Sequence, residues 1–223
     1  MLDINALIQT IAIAALPVVF AITLHEAAHG YAARHFGDPT AWQAGRISLN
    51  PLRHIDPVGT VLLPLLILAL SWLFSKDAFL FGYAKPVPVN FGRLRNPKRD
   101  MFWVALAGPA ANLFMALVWA ALLKLAWEMP VNDFTVPLSE MSKLGVIINC
   151  VLMVLNLLPL PPLDGGRIAV SLLPYTLASK FAQLERWGFP ILLLLLFTGI
   201  LGLVMSPLVQ MLAGLIETLF GLY

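Results

Sequence analysis

Long apolar runs separated by short polar breaks dominate the 223 residues of this chain. Residues 6–34 form the first helical candidate, and residues 35–58 are polar, broken by Gly and Pro, and read as a loop. A second apolar segment, 59–75, is just long enough to span a bilayer. Residues 76–100 hold six of the fourteen Lys and Arg and contain Pro-Val-Pro-Val-Asn, a run that refuses helix and suggests an extended element near 79–92. Further spans are expected at 101–127 and 143–160, joined by an acidic loop with Glu128, Asp133 and Glu140. Residues 166–186 look amphipathic, and 188–223 allow one or two spans with a break near Gly199, Gly202 and Pro207. The pattern predicts an all-α polytopic membrane protein of five to six transmembrane helices in a single domain, 1–223, with a short membrane-associated β element.

Composition agrees. Some 60% of residues are hydrophobic and 12% are charged, against roughly 45–50% and about 25% in soluble domains. Net charge is only +2, so no nucleic-acid partner is expected, and the lone Cys150 excludes an intramolecular disulfide. Residues 1–6 carry Asp3 and no Lys or Arg, so the positive region of a cleavable signal is missing and the first helix is expected to remain. The basic residues Arg34, Arg46, Arg53, Arg93, Arg95, Lys98, Arg99, Arg167, Lys180 and Arg186 can all share the cytoplasmic side, with the 128–140 loop outside.

Chemistry enters with His25-Glu26-Ala27-Ala28-His29 in the C-terminal half of the first span. Histidines at i and i+4 share a helix face and can ligate one metal ion, while the glutamate between them can take a proton from water. Ionisable groups inside a span are costly unless they have a partner charge or a function. Catalytic zinc sites usually have three protein ligands and an open fourth position. His35 and His54 are candidates for the third. Asp164 is the better one, because Pro159, Pro161 and Pro162 unwind the chain before it and Gly165 and Gly166 allow close backbone approach. Its plainer role would be to cap the following helix. Asn156 is equally well explained as an oxyanion donor or as helix-packing glue. The small residues of Ala107-Gly108-Pro109-Ala110-Ala111-Asn112 suit close helix packing, with Asn112 on the active-site cavity as the sharper reading.

Together, His-Glu-Ala-Ala-His, the 107–112 segment and Asn156-Leu-Leu-Pro-Leu-Pro-Pro-Leu-Asp-Gly-Gly166 resemble the site-2 protease family of intramembrane zinc metalloproteases. Segments 50–60 and 82–90 look like those of its compact bacterial members, without PDZ or CBS domains. The resemblance implies one Zn2+ per chain on His25, His29 and Asp164, Glu26 as the catalytic glutamate, and Asn156 in support. It also implies peptide-bond hydrolysis in or near transmembrane segments of protein substrates, in the bilayer of a bacterial inner membrane and with the site towards the cytoplasm. The competing classes are a metal-ion transporter, which needs ionisable groups spread along several spans, and a non-hydrolytic membrane scaffold. Residues 188–216 contain no Asp, Glu or His, which speaks against the transporter, and an intact Glu26 with all three ligands speaks against the scaffold. No feature of the sequence specifies an oligomeric state.

Overall fold

A computed structural model describes residues 4–54, 56, 59, 62 and 85–222. The apolar segment expected at 59–75 lies, but for positions 59 and 62, outside the described residues, as do residues 79–84 of the expected β element. The order along the rest is α1 (Ile4–His35), a short α2 (Thr40–Gln43), 3-10 turns at Pro51–Arg53 and Phe91–Arg93, α3 (Pro97–Glu128), α4 (Thr135–Leu157), α5 (Asp164–Leu172), α6 (Tyr175–Ala182), α7 (Glu185–Phe197) and α8 (Ile200–Phe220). Among the described residues no strand forms, and four helices (α1, α3, α4 and α8) are long and apolar enough to cross a membrane. The protein is an all-α integral membrane protein.

Apolar side chains turn outward along these helices. Phe114, Leu125, Leu203 and Leu219 are all exposed, as expected where lipid replaces water. The interior is lined by small groups that let backbones approach. Ala116, Ala120 and Cys150 are fully buried beside Trp119, Val146, Ala213 and Ile216, joining α3, α4 and α8. A Cβ on Gly145 would strike the Trp119 ring, so this glycine sets how closely α4 can lie on α3.

Two boundaries differ from the expected ones. α4 begins at Thr135, not near 143, and so takes in residues 135–140 of the acidic loop. Pro137 does not prevent this, because it falls in the first helical turn, where a missing N–H costs nothing. Asn132 Oδ1 accepts from the N–H groups of Phe134 and Thr135 at 2.9 and 3.0 Å and ends the turn there. The amphipathic stretch 166–186 is split into α5 and α6, because Pro174 cannot continue a helix. The break near Gly199 is present: its φ of 76° separates α7 from α8.

α1 ends where α3 begins. The Arg95 N–H donates to Phe36 O at 3.0 Å, and the Arg95 guanidinium reaches His35 O at 2.7 Å. This junction gathers the basic residues of 93–99 at the same end as Arg34, while the 129–134 turn lies at the other end of α3. Between the two 3-10 turns, residues 85–90 run extended, outside any helix or strand, across the α1 face that carries the histidines.

Candidate metal centre

Helix geometry alone brings His25 and His29 together, four residues apart on α1. Their Nε2 atoms are 3.1 Å apart. Asp164, the first residue of α5, completes the group, its Oδ2 lying 3.2 Å from each Nε2. Donors on a tetrahedral zinc ion with bonds of about 2.0–2.1 Å stand roughly 3.3–3.4 Å apart. The triangle is therefore within a few tenths of an ångström of zinc geometry. Among the described residues, this is the group of His, Cys, Asp or Glu positioned to hold a metal.

Protonation gives a stronger test of fit. His29 Nδ1 faces Val104 O at 2.7 Å, and a carbonyl can only accept, so Nδ1 carries the proton. His25 Nδ1 faces Asn112 Oδ1 at 2.6 Å and donates to it. Both Nε2 atoms then present bare lone pairs. By distance alone they pair with the carboxylate, yet Asp164 Oδ2 is buried with no hydrogen-bond donor. With both imidazole protons on Nδ1, three acceptors meet and no proton lies between them. Such a cluster is costly unless a cation occupies its centre, and neutral imidazoles with their far nitrogens hydrogen-bonded are the usual metal-ligand form.

The surrounding backbone is built for close approach. A Cβ on Gly108 of α3 would lie 2.6 Å from His25 Cε1 and would also strike the His29 ring. Gly165 and Gly166 lie against Leu157 O and Pro161 N, and Gly188 of α7 against Pro161 O. The proline-rich bend between α4 and α5 thus delivers Asp164 to the histidines from a tightly packed turn.

Glu26 points into a cavity of about 620 Å³, whose walls include Ile22, Pro86, Leu155, Asn156, Asp164 and Phe189. Its Oε2 accepts the Val87 N–H at 2.7 Å. The extended segment is tied down at both ends as well. The Arg46 guanidinium donates to Lys85 O at 2.8 Å, and Asp38 Oδ2 accepts from the Asn90 N–H at 2.6 Å.

The candidate residues do not all lie where the sequence suggested. Asn156 lines the cavity, with its Nδ2 donating to Leu152 O at 3.0 Å. Asn112, expected on the cavity wall, is fully buried behind His25 instead, because its amide is consumed by hydrogen bonds. His54 is buried elsewhere, with Nε2 on Ser48 O at 2.8 Å, and His35 is exposed at the end of α1. Neither joins the cluster. Asp38 was missed: in Gly37-Asp38-Pro39 it reads as an ordinary turn residue, and nothing local shows that Asn90 will meet it.

Comparison with known proteins gives the same picture. The model of Peptidase family M50 matches residues 132–199. "Putative zinc metalloprotease YwhC" of Bacillus subtilis (strain 168) is 37% identical over 196 residues, covering 86% of this chain and 84% of its own. The chain belongs to peptidase family M50. A second relative, "Putative zinc metalloprotease Rip2" of Mycolicibacterium smegmatis, is 33% identical over 81% of this chain and 64% of its own length. The Rip2 of Mycobacterium tuberculosis H37Rv is 30% identical over 65% of this chain and 51% of its own. No solved structure matches. Like other M50 peptidases, the site-2 protease family, the protein is a zinc-dependent metalloprotease of the membrane, and His25, His29 and Asp164 could bind the metal.

Proposed function

We propose that the protein is an intramembrane protease that cuts peptide bonds in or near transmembrane segments of other membrane proteins, with its whole length acting as one domain. The observation that carries this reading is the triangle of two bare imidazole nitrogens and one carboxylate oxygen, opening with Glu26 onto a cavity between membrane-spanning helices. His25 is ten residues from the end of α1, about 15 Å along the helix axis. That depth is about half of a bilayer's hydrocarbon thickness.

In this reading His25, His29 and Asp164 hold zinc. When bound, zinc supplies Lewis-acid activation of a water molecule and of the scissile carbonyl. Glu26 takes the water proton as the oxygen adds to the carbonyl carbon, then returns it to the amide nitrogen as the C–N bond breaks. The Val87 N–H holds Oε2, which orients the carboxylate and leaves Oε1 for the proton. Asn156 on the cavity wall is placed to donate to the carbonyl oxygen or to hold substrate backbone. Asn112 supports the site through His25. The 85–90 segment offers extended backbone beside Glu26, against which an unwound substrate can lie as an added strand.

The basic end of the helices supports a cytoplasmic opening in a bacterial inner membrane, since Lys and Arg accumulate on that side. The reaction would then act in regulated intramembrane proteolysis, releasing part of a membrane-anchored protein. The deciding comparison is zinc content and cleavage of a model transmembrane substrate for the wild type and Glu26→Gln in detergent. One zinc retained with cleavage lost supports Glu26 as the base. Equal cleavage by both would sink the mechanism.

A further inference from the structure

Behind the metal centre a chain of buried amides continues from Asn112 into α4. Asn112 of α3 and Asn149 of α4 are both fully buried. Asn112 Oδ1 takes the His25 Nδ1 proton at 2.6 Å, and its Nδ2 donates to Ala21 O at 3.2 Å and to Asn149 Oδ1 at 3.1 Å. Asn149 Nδ2 in turn donates to Gly145 O at 2.9 Å.

The direction of this chain is fixed by its two ends. A flipped Asn112 would turn its oxygen onto Ala21 O and Asn149 Oδ1, placing acceptor against acceptor. If Asn149 flipped to relieve this, its own oxygen would face Gly145 O. Main-chain carbonyls cannot donate, so neither amide can reverse without leaving a buried group unsatisfied. With Asn112 Oδ1 held towards His25, the His25 proton must sit on Nδ1 and the lone pair on Nε2, where a metal would be held.

We propose that Asn149 is a positioning residue for the metal centre: through Asn112 it locks His25 in the one tautomer that can ligate. This rests on the reading of His25 as a metal ligand. Outer partners of ligating histidines are typically worth about 10–100-fold in metal affinity. The α4 helix therefore contributes to the site at a distance, from a residue within an apolar run that touches neither metal nor cavity.

The test is zinc affinity of the purified full chain in detergent, measured by competition with a chromophoric chelator, together with the absorption spectrum of the cobalt-substituted protein. The variants are Asn149→Ala, Asn149→Asp, Asn112→Ala, the double Ala variant and His25→Ala. We expect Asn149→Ala to bind zinc roughly 10-fold more weakly or worse and to shift the cobalt bands. Asn149→Asp keeps the acceptor for Asn112 and, held as the neutral acid by its burial, can still donate to Gly145 O, so it should stay near wild type. The double Ala variant should be no weaker than Asn112→Ala alone, because both act through one hydrogen bond to His25. Wild-type affinity in Asn149→Ala, or additive losses in the double variant, would overturn the proposal. Should Asn149→Ala fail to fold, loss of zinc from folded Asn149→Asp would overturn it equally. If His25→Ala binds zinc as tightly as wild type, the metal-ligand reading itself has failed; if only His25→Ala loses zinc, the relay alone has.

Discussion

At the scale of single residues, the site works by leaving lone pairs without protons. Val104 O and Asn112 Oδ1 take the histidine Nδ1 protons, and Asp164 adds an oxygen with no donor of its own. Removing any of the three donors should empty the centre. We therefore expect Asp164→Ala to lower zinc from about one per chain to near zero after dialysis, a loss of more than about 100-fold in affinity, since even outer partners reach that size. Metal analysis checks this, and an unchanged stoichiometry would mean the third donor lies elsewhere. His25, Glu26 and His29 were legible because a helix makes residues four apart neighbours whatever the rest of the fold does. Asn149 was not legible: in Asn149-Cys-Val-Leu-Met-Val it looks like one polar break in an apolar span. Its role depends on Asn112, 37 residues away.

At the scale of elements, the extended segment 85–90 and the proline bend before α5 do what a helix cannot. One lays its backbone beside Glu26, with the Val87 N–H on the carboxylate, and the other turns the chain so that Asp164 faces α1. Pro86 and Pro88 announce the first in the sequence, and Pro159, Pro161 and Pro162 announce the second. What holds the first in place was hidden. Asp38 is fully buried and accepts hydrogen bonds from the Asn90 N–H and from both the N–H and hydroxyl of Thr40. Charge-assisted bonds of this kind are worth about 1.5–3 kcal/mol each. Asp38→Ala should free the segment at Asn90, cutting substrate cleavage at least about 10-fold while leaving zinc content near one per chain. Parallel loss of zinc would show that the clamp supports the whole site and not the segment alone. The start of α4 at Thr135 was hidden too: the polar 128–140 stretch reads as loop throughout, while the helix start is set by Asn132 Oδ1 on the Phe134 and Thr135 N–H groups.

For the whole molecule, the arrangement of helices puts the basic residues at one end and the 129–134 turn at the other. Charge asymmetry of this kind sets orientation. In a Cys150→Ala background, an impermeant thiol reagent added to intact cells should label Asp133→Cys and spare Lys180→Cys, both positions being exposed. The reverse pattern would turn the cavity to the outside and undo the cytoplasmic assignment. The membrane-spanning helices were readable because hydrophobic length is a local property, and burial in lipid demands it of every span.

The sequence by itself determined the class of the molecule, the four long spans described above and the pairing of His25 with His29 around Glu26. Each of these follows from composition or from the helical repeat, over a few residues. Only the tertiary structure decided which imidazole nitrogen faces the centre, and that Asn112 stands behind His25 and not on the cavity wall. Those outcomes depend on contacts such as His25 with Asn112, 87 residues apart, and on Gly108, which lets α3 close on α1. No short-range pattern records them, because the partner that fixes each proton and each orientation belongs to another helix.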